Sequence, residues 1–317
     1  MAFDPTSLRR DDYGFFGPDS PSWKVWSSPT SLIGFQRAVT LEHFDPYLTA
    51  AVADSHGIYD NPATRLDHTL AYFVLVALGD GRTAIQAAEH LMTVHAPMTG
   101  IEPISGKRYS ANNPDSQLWI HITGWHSVLK TYETYGPGLT AEEEDRYWAE
   151  CAIAAELQTC KPSDIPRSRA EVHAYFERVR PRLCVSERAI EGMHYLMWTP
   201  PSKGWLFAIG SRLLSLASIP TLPLWMRKLG RLKVPRVVDP LVRIPATVLS
   251  WLAARRGNWM IVRFAPYIAP ITGTIFAAHA AAPVPANPTT ITPRAARELY
   301  GSQGQRSLWD ATVVETV

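Results

Sequence analysis

The sequence predicts an all-α protein built as a single, mostly helical domain. Helical periodicity and helix-capping residues recur along most of the chain, whereas alternating strand patterns are scarce and no internal repeat is found. A packed core is expected, since 46% of the 317 residues are hydrophobic. Residues 1–30 are rich in Pro, Ser, Asp and Gly. They are expected to form an extended N-terminal arm, and residues 31–317 the helical domain.

The first strong helix signal is Asn61-Pro62, because asparagine is a good N-cap and proline fits the first helical turn. The segment Thr69–Leu78 that follows carries no charge, and a helix that is apolar on all sides is a buried helix. Gly79-Asp80-Gly81 ends it. The helix that starts at Asn61-Pro62 is therefore predicted to cross the protein interior.

The second helix carries a histidine on its apolar stripe. It starts near Arg82, and the residues that recur at spacings of three and four are Ile85, Ala88, Met92 and His95. His90 points in another direction on the same helix. Pro97 and Gly100 are expected to close the helix.

Further helices are predicted over residues 116–135, from Thr140 onward, and over residues 169–180. Residues 185–235 hold shorter apolar stretches. The basic, proline-broken stretch GRLKVPRVVDPLVR, residues 230–243, is expected to lie between helices. Residues 264–285 are uncharged and long enough to allow a membrane span. Pro266, Pro270 and many small residues favour a packed terminal helix there instead.

Charge and cysteine content exclude several function classes. The 31 Lys and Arg against 29 Asp and Glu leave a net charge of +2, so nucleic-acid binding is not expected. Cys151, Cys160 and Cys184 are too scattered for a disulfide framework or a thiolate metal site. The first residues lack the apolar stretch of a secretory signal. A cytoplasmic protein is expected, with peripheral membrane contact and oligomeric state left open.

The usual signatures of nucleotide-binding and hydrolase sites are absent. Neither a dinucleotide-binding glycine motif nor a phosphate-binding P-loop occurs, and there is no nucleophile elbow or H-E-x-x-H. What remains is a set of polar groups on three apolar helices: Arg65, His68 and Thr69, then His95, then His121. Arg65 and Thr69 share a helical face. One imidazole, one cation and one hydroxyl in an apolar pocket suit a haem, although a single histidine is more often a core residue.

Six segments occur in an order and spacing that are specific when taken together. They are SLIGFQRAV, HFDPYLTAAVADS, NPATRLDHTLAYF, EHLMTVHAPMTG, GKRYSANNPDSQLWIHIT and TYETYGPGLTAEEEDRYWAE. With them the chain resembles the catalytic-domain family shared by rubber oxygenase (latex-clearing protein) and the oxygenase of the mycophenolic acid pathway. The resemblance runs from about Trp23 to Trp198, and more loosely to the C-terminus. It implies a globin-like helical fold that binds haem b through a proximal histidine.

The resemblance also implies roles for individual residues. His95 in TVHAPMTG resembles the axial iron ligand, and Arg65 and Thr69 resemble the distal R-x-x-x-T element. His68 stands where rubber oxygenases have a lysine able to approach the iron, so it is expected to be a distal group or a second ligand. His121 in the WIHIT block resembles a further histidine near the haem. Two alternatives stay open, in which His121 is the true ligand or neither histidine is.

One departure from the family concerns the distal base. Rubber oxygenases have a glutamate upstream of the arginine, where this chain has Thr49, Asp54 and Ser55. Glu42 lies further upstream, beside His43. Proton abstraction as in the rubber enzymes is therefore not expected, and neither is polyisoprene as the substrate.

The resulting prediction is a haem b-dependent oxygenase or peroxygenase that uses molecular oxygen or peroxide on a hydrophobic small molecule. That substrate is expected to be isoprenoid-like, lipid-like or a secondary metabolite. Arg65, His68 and Thr69 are the predicted catalytic residues, and His95 the predicted metal ligand. The first alternative is a non-catalytic haem or lipid binder using the same pocket. The second is a cofactor-free helical scaffold, membrane-associated through residues 205–225 and 264–285.

Overall fold

The computed structural model describes residues 10–55, 57–255, 269–281 and 284–302. Within these ranges the chain forms fifteen α-helices and one antiparallel two-stranded sheet, so the all-α prediction is confirmed. The first seven helices are α1 (Pro21–Trp26), α2 (Ser31–Glu42), α3 (Pro46–Asp54), α4 (Gly57–Asp60), α5 (Pro62–Leu78), α6 (Gly81–His95) and α7 (Pro114–Tyr135). The next four are α8 (Ala141–Ala155), α9 (Arg169–Val179), α10 (Glu187–Met197) and α11 (Trp205–Ser218). The last four are α12 (Leu224–Leu229), α13 (Val238–Ala254), α14 (Pro270–Ala281) and α15 (Pro293–Tyr300).

Helix α5 is the buried helix that the uncharged segment predicts. Every residue from Leu70 to Leu78 is buried, and α5 packs against α1, α6 and α14. Asn61 precedes the helix as predicted, but its side chain makes no capping hydrogen bond. Pro62 in the first turn is compatible with the helix start because its position needs no backbone N–H donor.

Helices α2 and α7 form the closest helix pair of the core. A Cβ atom placed on Gly34 of α2 would lie 2.5 Å from the Cα atom of Val128 on α7. The Thr131 hydroxyl donates to the Thr30 carbonyl over 2.9 Å, which joins the two helices at the same level. The missing side chain at Gly34 is therefore what lets the backbones approach.

The N-terminal region differs from the extended arm that its composition predicts. Residues 21–26 form α1, with the Ser20 hydroxyl accepting from the Trp23 amide over 3.1 Å and Pro21 in the first turn. Trp23 and Trp26 are buried, and Trp26 stacks on Phe73 with ring centroids 5.7 Å apart. The serine and proline of this region thus start a helix, and two buried indoles fix it to the core. Residues 1–9 lie outside the described residues.

A short hairpin follows α6 and was not predicted from the sequence. Strands β1 (Thr99–Ile101) and β2 (Arg108–Ser110) pair antiparallel, with Gly100 opposite Tyr109. The Tyr109 hydroxyl donates to Oδ2 of Asp54 on α3 over 2.6 Å. Three-residue strands are too short to give an alternating pattern, so the periodicity of the sequence could not reveal them.

Helix α14 confirms the packed terminal helix for residues 270–281; residues 264–268 and 282–283 lie outside the described residues. It packs along α5, and the buried carboxylate of Asp67 accepts from the amides of Ile271 and Thr272, each over 2.9 Å. The basic stretch of residues 230–243 does not lie wholly between helices as predicted. Helix α13 starts within it, at Val238, and includes Pro240 and Pro245. No helix in the described parts of the chain is long and apolar enough to cross a membrane.

Candidate functional site

His95 is the last residue of α6, on the stripe that also carries the buried Met92. Its imidazole is half-buried, and Nδ1 lies 3.3 Å from Nε2 of Gln117 on α7. Burial is the main cause that lowers the pKa of His95 to about 4, and the positive charge of Arg65 lowers it further. The imidazole is therefore neutral at neutral pH, which is the form that binds a metal ion.

Two amide side chains surround the ring of His95. Asn112 lies close enough to raise the pKa of the imidazole, as a hydrogen-bond acceptor does. Within the described residues, Oε1 of Gln117 is buried and makes no hydrogen bond. Gln117 approaches Nδ1 with its amide nitrogen, which also donates to the Ala111 carbonyl, so Gln117 acts on the ring as a donor and leaves Nε2 for a ligand.

Arg65 lies in the first half of α5, where its Nη1 donates to the Ser55 hydroxyl over 2.7 Å. Burial lowers the pKa of its guanidinium, and the negative charge of Glu42 raises it. The same guanidinium lowers the pKa of His95 and of His43. The charge of Arg65 thus acts on the pKa of groups at the ends of α2 and α6.

Glu42 and His43, at the end of α2, are members of this site that sequence reasoning did not assign to it. The Glu42 side chain is 13% exposed, and burial raises the pKa of its carboxyl to about 7, against the lowering effect of Arg65. His43 is buried, its Nδ1–H donates to the Val39 carbonyl over 2.8 Å, and burial lowers its pKa to about 4. The 3.9 Å approach of Glu42 to His43 is consequently not an ion pair.

Thr69 lies one turn after Arg65 on α5, as the i, i+4 spacing predicts. Its side chain is half-buried and donates to the Arg65 carbonyl over 2.9 Å. The hydroxyl oxygen keeps its acceptor capacity, so Thr69 can receive a hydrogen bond without losing this contact.

His68 is exposed, and the neighbouring Asp67 takes the inward position, where it caps α14. Of the predicted distal residues, the structure therefore brings Arg65 and Thr69 together on one face, with His68 on the exposed side of the same helix.

His121 lies in the aromatic core. It is buried on α7, and its Nε2–H donates to the Cys151 carbonyl over 2.8 Å. Burial lowers its pKa to about 4, opposed by the bond to Cys151. Its ring lies 5.7 Å from that of Trp125, and its Nδ1 makes no hydrogen bond within the described residues. With one nitrogen committed to a backbone carbonyl, His121 has only Nδ1 for any ligand.

His95 offers one imidazole as a possible ligand. The described residues contain no group of three His, Cys, Asp or Glu side chains able to hold a metal ion. A porphyrin supplies four nitrogen donors of its own, so a haem requires only one imidazole. A neutral His95 beside Asn112 and Gln117, with the charge of Arg65 acting on its pKa, would meet that requirement.

A separate cleft of about 250 Å³ lies where α5 begins, lined by residues 60–64, Ser202 and Lys203. Its lining contains none of the predicted site residues. It is therefore distinct from the cluster around Arg65.

Comparison with known families gives one match. The model of the family described as ER-bound oxygenase mpaB/B'/rubber oxygenase, catalytic domain, matches residues 23–255. No curated protein and no solved structure matches the chain. The matched range includes each predicted site residue as well as Glu42 and His43.

Proposed function

Because the chain belongs to the mpaB/rubber oxygenase catalytic-domain family, an oxygenase family, we propose that it is a haem b-dependent oxygenase or peroxygenase. The proposed substrate is a hydrophobic small molecule of isoprenoid, lipid or secondary-metabolite type. The observation that supports the proposal is that the positive charge of Arg65 lowers the pKa of a neutral His95 and that of the largely buried Glu42.

His95 is the residue proposed to hold the haem iron, and bound haem would supply the activation of oxygen or peroxide. Asn112 and Gln117 lie against the imidazole and would orient it. Outer partners of this kind fix the ring of a ligating histidine. His121 supports the surrounding core in this proposal.

Arg65 provides the positive charge of the site. Ser55 holds its guanidinium in place, and a buried cation stabilises an anionic group such as a propionate or a reacting oxygen more strongly than an exposed one. Thr69 can accept a hydrogen bond from a distal group. His68, on the exposed side of α5, is proposed to exchange protons with solvent.

Glu42 is the proposed acid–base group. A carboxyl with a pKa of about 7 is present in both protonation states at neutral pH, which is what proton transfer to and from a substrate requires. The family's upstream glutamate is thus replaced in this proposal by a carboxyl from the end of α2.

The proposal is tested by the absorption spectrum of protein produced with haem supplementation. We expect a Soret band for the wild type, its loss in His95→Ala, and its retention in His90→Ala. His90 is the matched control because it is an exposed histidine on the same helix. Equal haem content in His95→Ala and the wild type would remove His95 as the ligand.

Reaction with air separates an oxygenase from a non-catalytic binder. We expect the reduced wild-type protein to be reoxidised rapidly in air, and Arg65→Met to be slowed at equal haem content. A ferrous spectrum that stays unchanged in air would favour the non-catalytic haem binder instead.

A further inference from the structure

Helix α13 turns small side chains toward the protein and large apolar side chains outward. Its buried positions are Ser250 and Ala253, and its half-buried Val242 and Ala246 pack near Tyr135. The large apolar side chains point outward and are between 47% and 69% exposed: Leu241, Ile244, Val248, Leu249, Trp251 and Leu252. A helix that meets only water would place these side chains inside, so this face is built for an apolar medium.

Helix α11 repeats the pattern and packs against α13. Its inward positions are Ala208, Ser211, Ser215, Ala217 and Ser218. Its outward ones are Trp205, Leu206, Ile209 and Leu213, each at least 50% exposed. We call the outward apolar side chains of α11 and α13 the α11–α13 surface.

The charge around this surface indicates a partner of negative charge. Residues 203–255 contain nine Lys and Arg but one acidic residue, Asp239, whereas the whole chain has a net charge of only +2. Asp239 is itself paired with Arg227 over 2.9 Å. Lys228, Lys233, Arg236 and Arg243 are exposed. An excess of exposed basic side chains is attracted to an anionic surface.

We infer that the α11–α13 surface is a membrane-binding site that inserts its apolar side chains into the interface of an anionic bilayer. Large aliphatic side chains and tryptophans beside basic residues are the composition of helices that lie in the plane of a membrane. A second copy of this chain would bring the same excess of positive charge to the contact, which opposes self-association through this face. The inference does not depend on haem binding, and either proposal can fail without the other.

The test is co-sedimentation of the full chain with vesicles of phosphatidylcholine containing phosphatidylserine, compared with phosphatidylcholine alone. We expect the wild type to bind the anionic vesicles, and added salt to weaken the binding. The double variant Ile244→Glu, Leu249→Glu should bind at least about tenfold more weakly, since two charged side chains replace two that insert. Leu299→Glu on α15 is the matched control because Leu299 is 68% exposed outside this surface.

A second variant separates the charge from the apolar insertion. Lys233→Gln with Arg236→Gln should lower binding to the anionic vesicles and leave binding to phosphatidylcholine unchanged. Wild-type protein that fails to bind anionic vesicles would overturn the inference. So would equal loss of binding in Leu299→Glu, or a lipid-free dimer in light scattering that dissociates in the Ile244→Glu, Leu249→Glu variant.

Discussion

The carboxyl of Glu42 and the guanidinium of Arg65 act on each other across two helices of the core. Burial raises the pKa of Glu42 to about 7 while the charge of Arg65 lowers it, and the charge of Glu42 raises the pKa of Arg65. The end of α2 is thereby connected to the face of α5 that carries Thr69. The site accordingly contains a carboxyl that titrates, although this chain has no glutamate at the upstream position where rubber oxygenases have theirs.

The raised pKa of Glu42 predicts a pH-dependent loss of stability. An acid whose pKa is higher in the folded state stabilises the fold below its unfolded pKa of 4.5, and this contribution disappears as pH rises through about 7. We expect the unfolding free energy of the wild type, relative to Glu42→Gln, to fall by on the order of 3 kcal/mol over that interval. Urea unfolding at several pH values measures it, and a pH-independent difference would contradict the assignment.

The buried histidines predict the opposite trend at acidic pH. Burial lowers the pKa of His43 and of His121 to about 4, so their contribution is complete above pH 6.5 and lost as pH falls through about 4. His43→Gln should unfold at lower pH than the wild type in an acid titration followed by circular dichroism. His173→Gln is the control, because His173 is exposed on α9. Acid sensitivity that is unchanged in His43→Gln but altered in His173→Gln would refute this prediction.

The close approach of α2 and α7 predicts a large effect of one methyl group. Gly34→Ala places a Cβ atom 2.5 Å from the Cα atom of Val128, so the helices must separate. We expect a loss of about 2–3 kcal/mol in unfolding free energy, typical of core overpacking. Gly210→Ala on α11 has open space at its Cβ and should be neutral or stabilising by about 0.5–1 kcal/mol. Thermal melts that rank the two variants in the reverse order would show that this helix contact is wrong.

The helices of the site could be predicted because their signals are local. These signals are the uncharged run of α5, the apolar stripe of α6 and the helix start at Thr140 of α8. Each involves residues that are close in sequence, and the structure confirms the three helices. The short helix α1 could not be predicted in this way. Its position depends on burying Trp23 and Trp26 against distant helices, while its composition resembles a loop.

The grouping of Glu42 with Arg65 and His95 could not be obtained from spacing along the chain. The family pattern fixes only a sequence distance, and at that distance from Arg65 the chain has Thr49 and Asp54 but no glutamate. The fold instead brings in the end of α2, through the packing of α2 on α7, and no local pattern encodes that contact. A glutamate at the end of an otherwise largely buried helix was the available signal, since a carboxyl there needs a charged partner.

The proposed binding of a haem iron by His95 can be tested by chemical rescue. His95→Gly removes the imidazole and leaves a gap that a free imidazole molecule can enter, with His121→Gln as the comparison because it keeps a polar side chain in the core. We predict that His95→Gly loses the Soret band and regains it when imidazole is added, while His121→Gln retains it throughout. Loss of the band in His121→Gln alone, or full haem binding by His95→Gly without imidazole, would contradict the account.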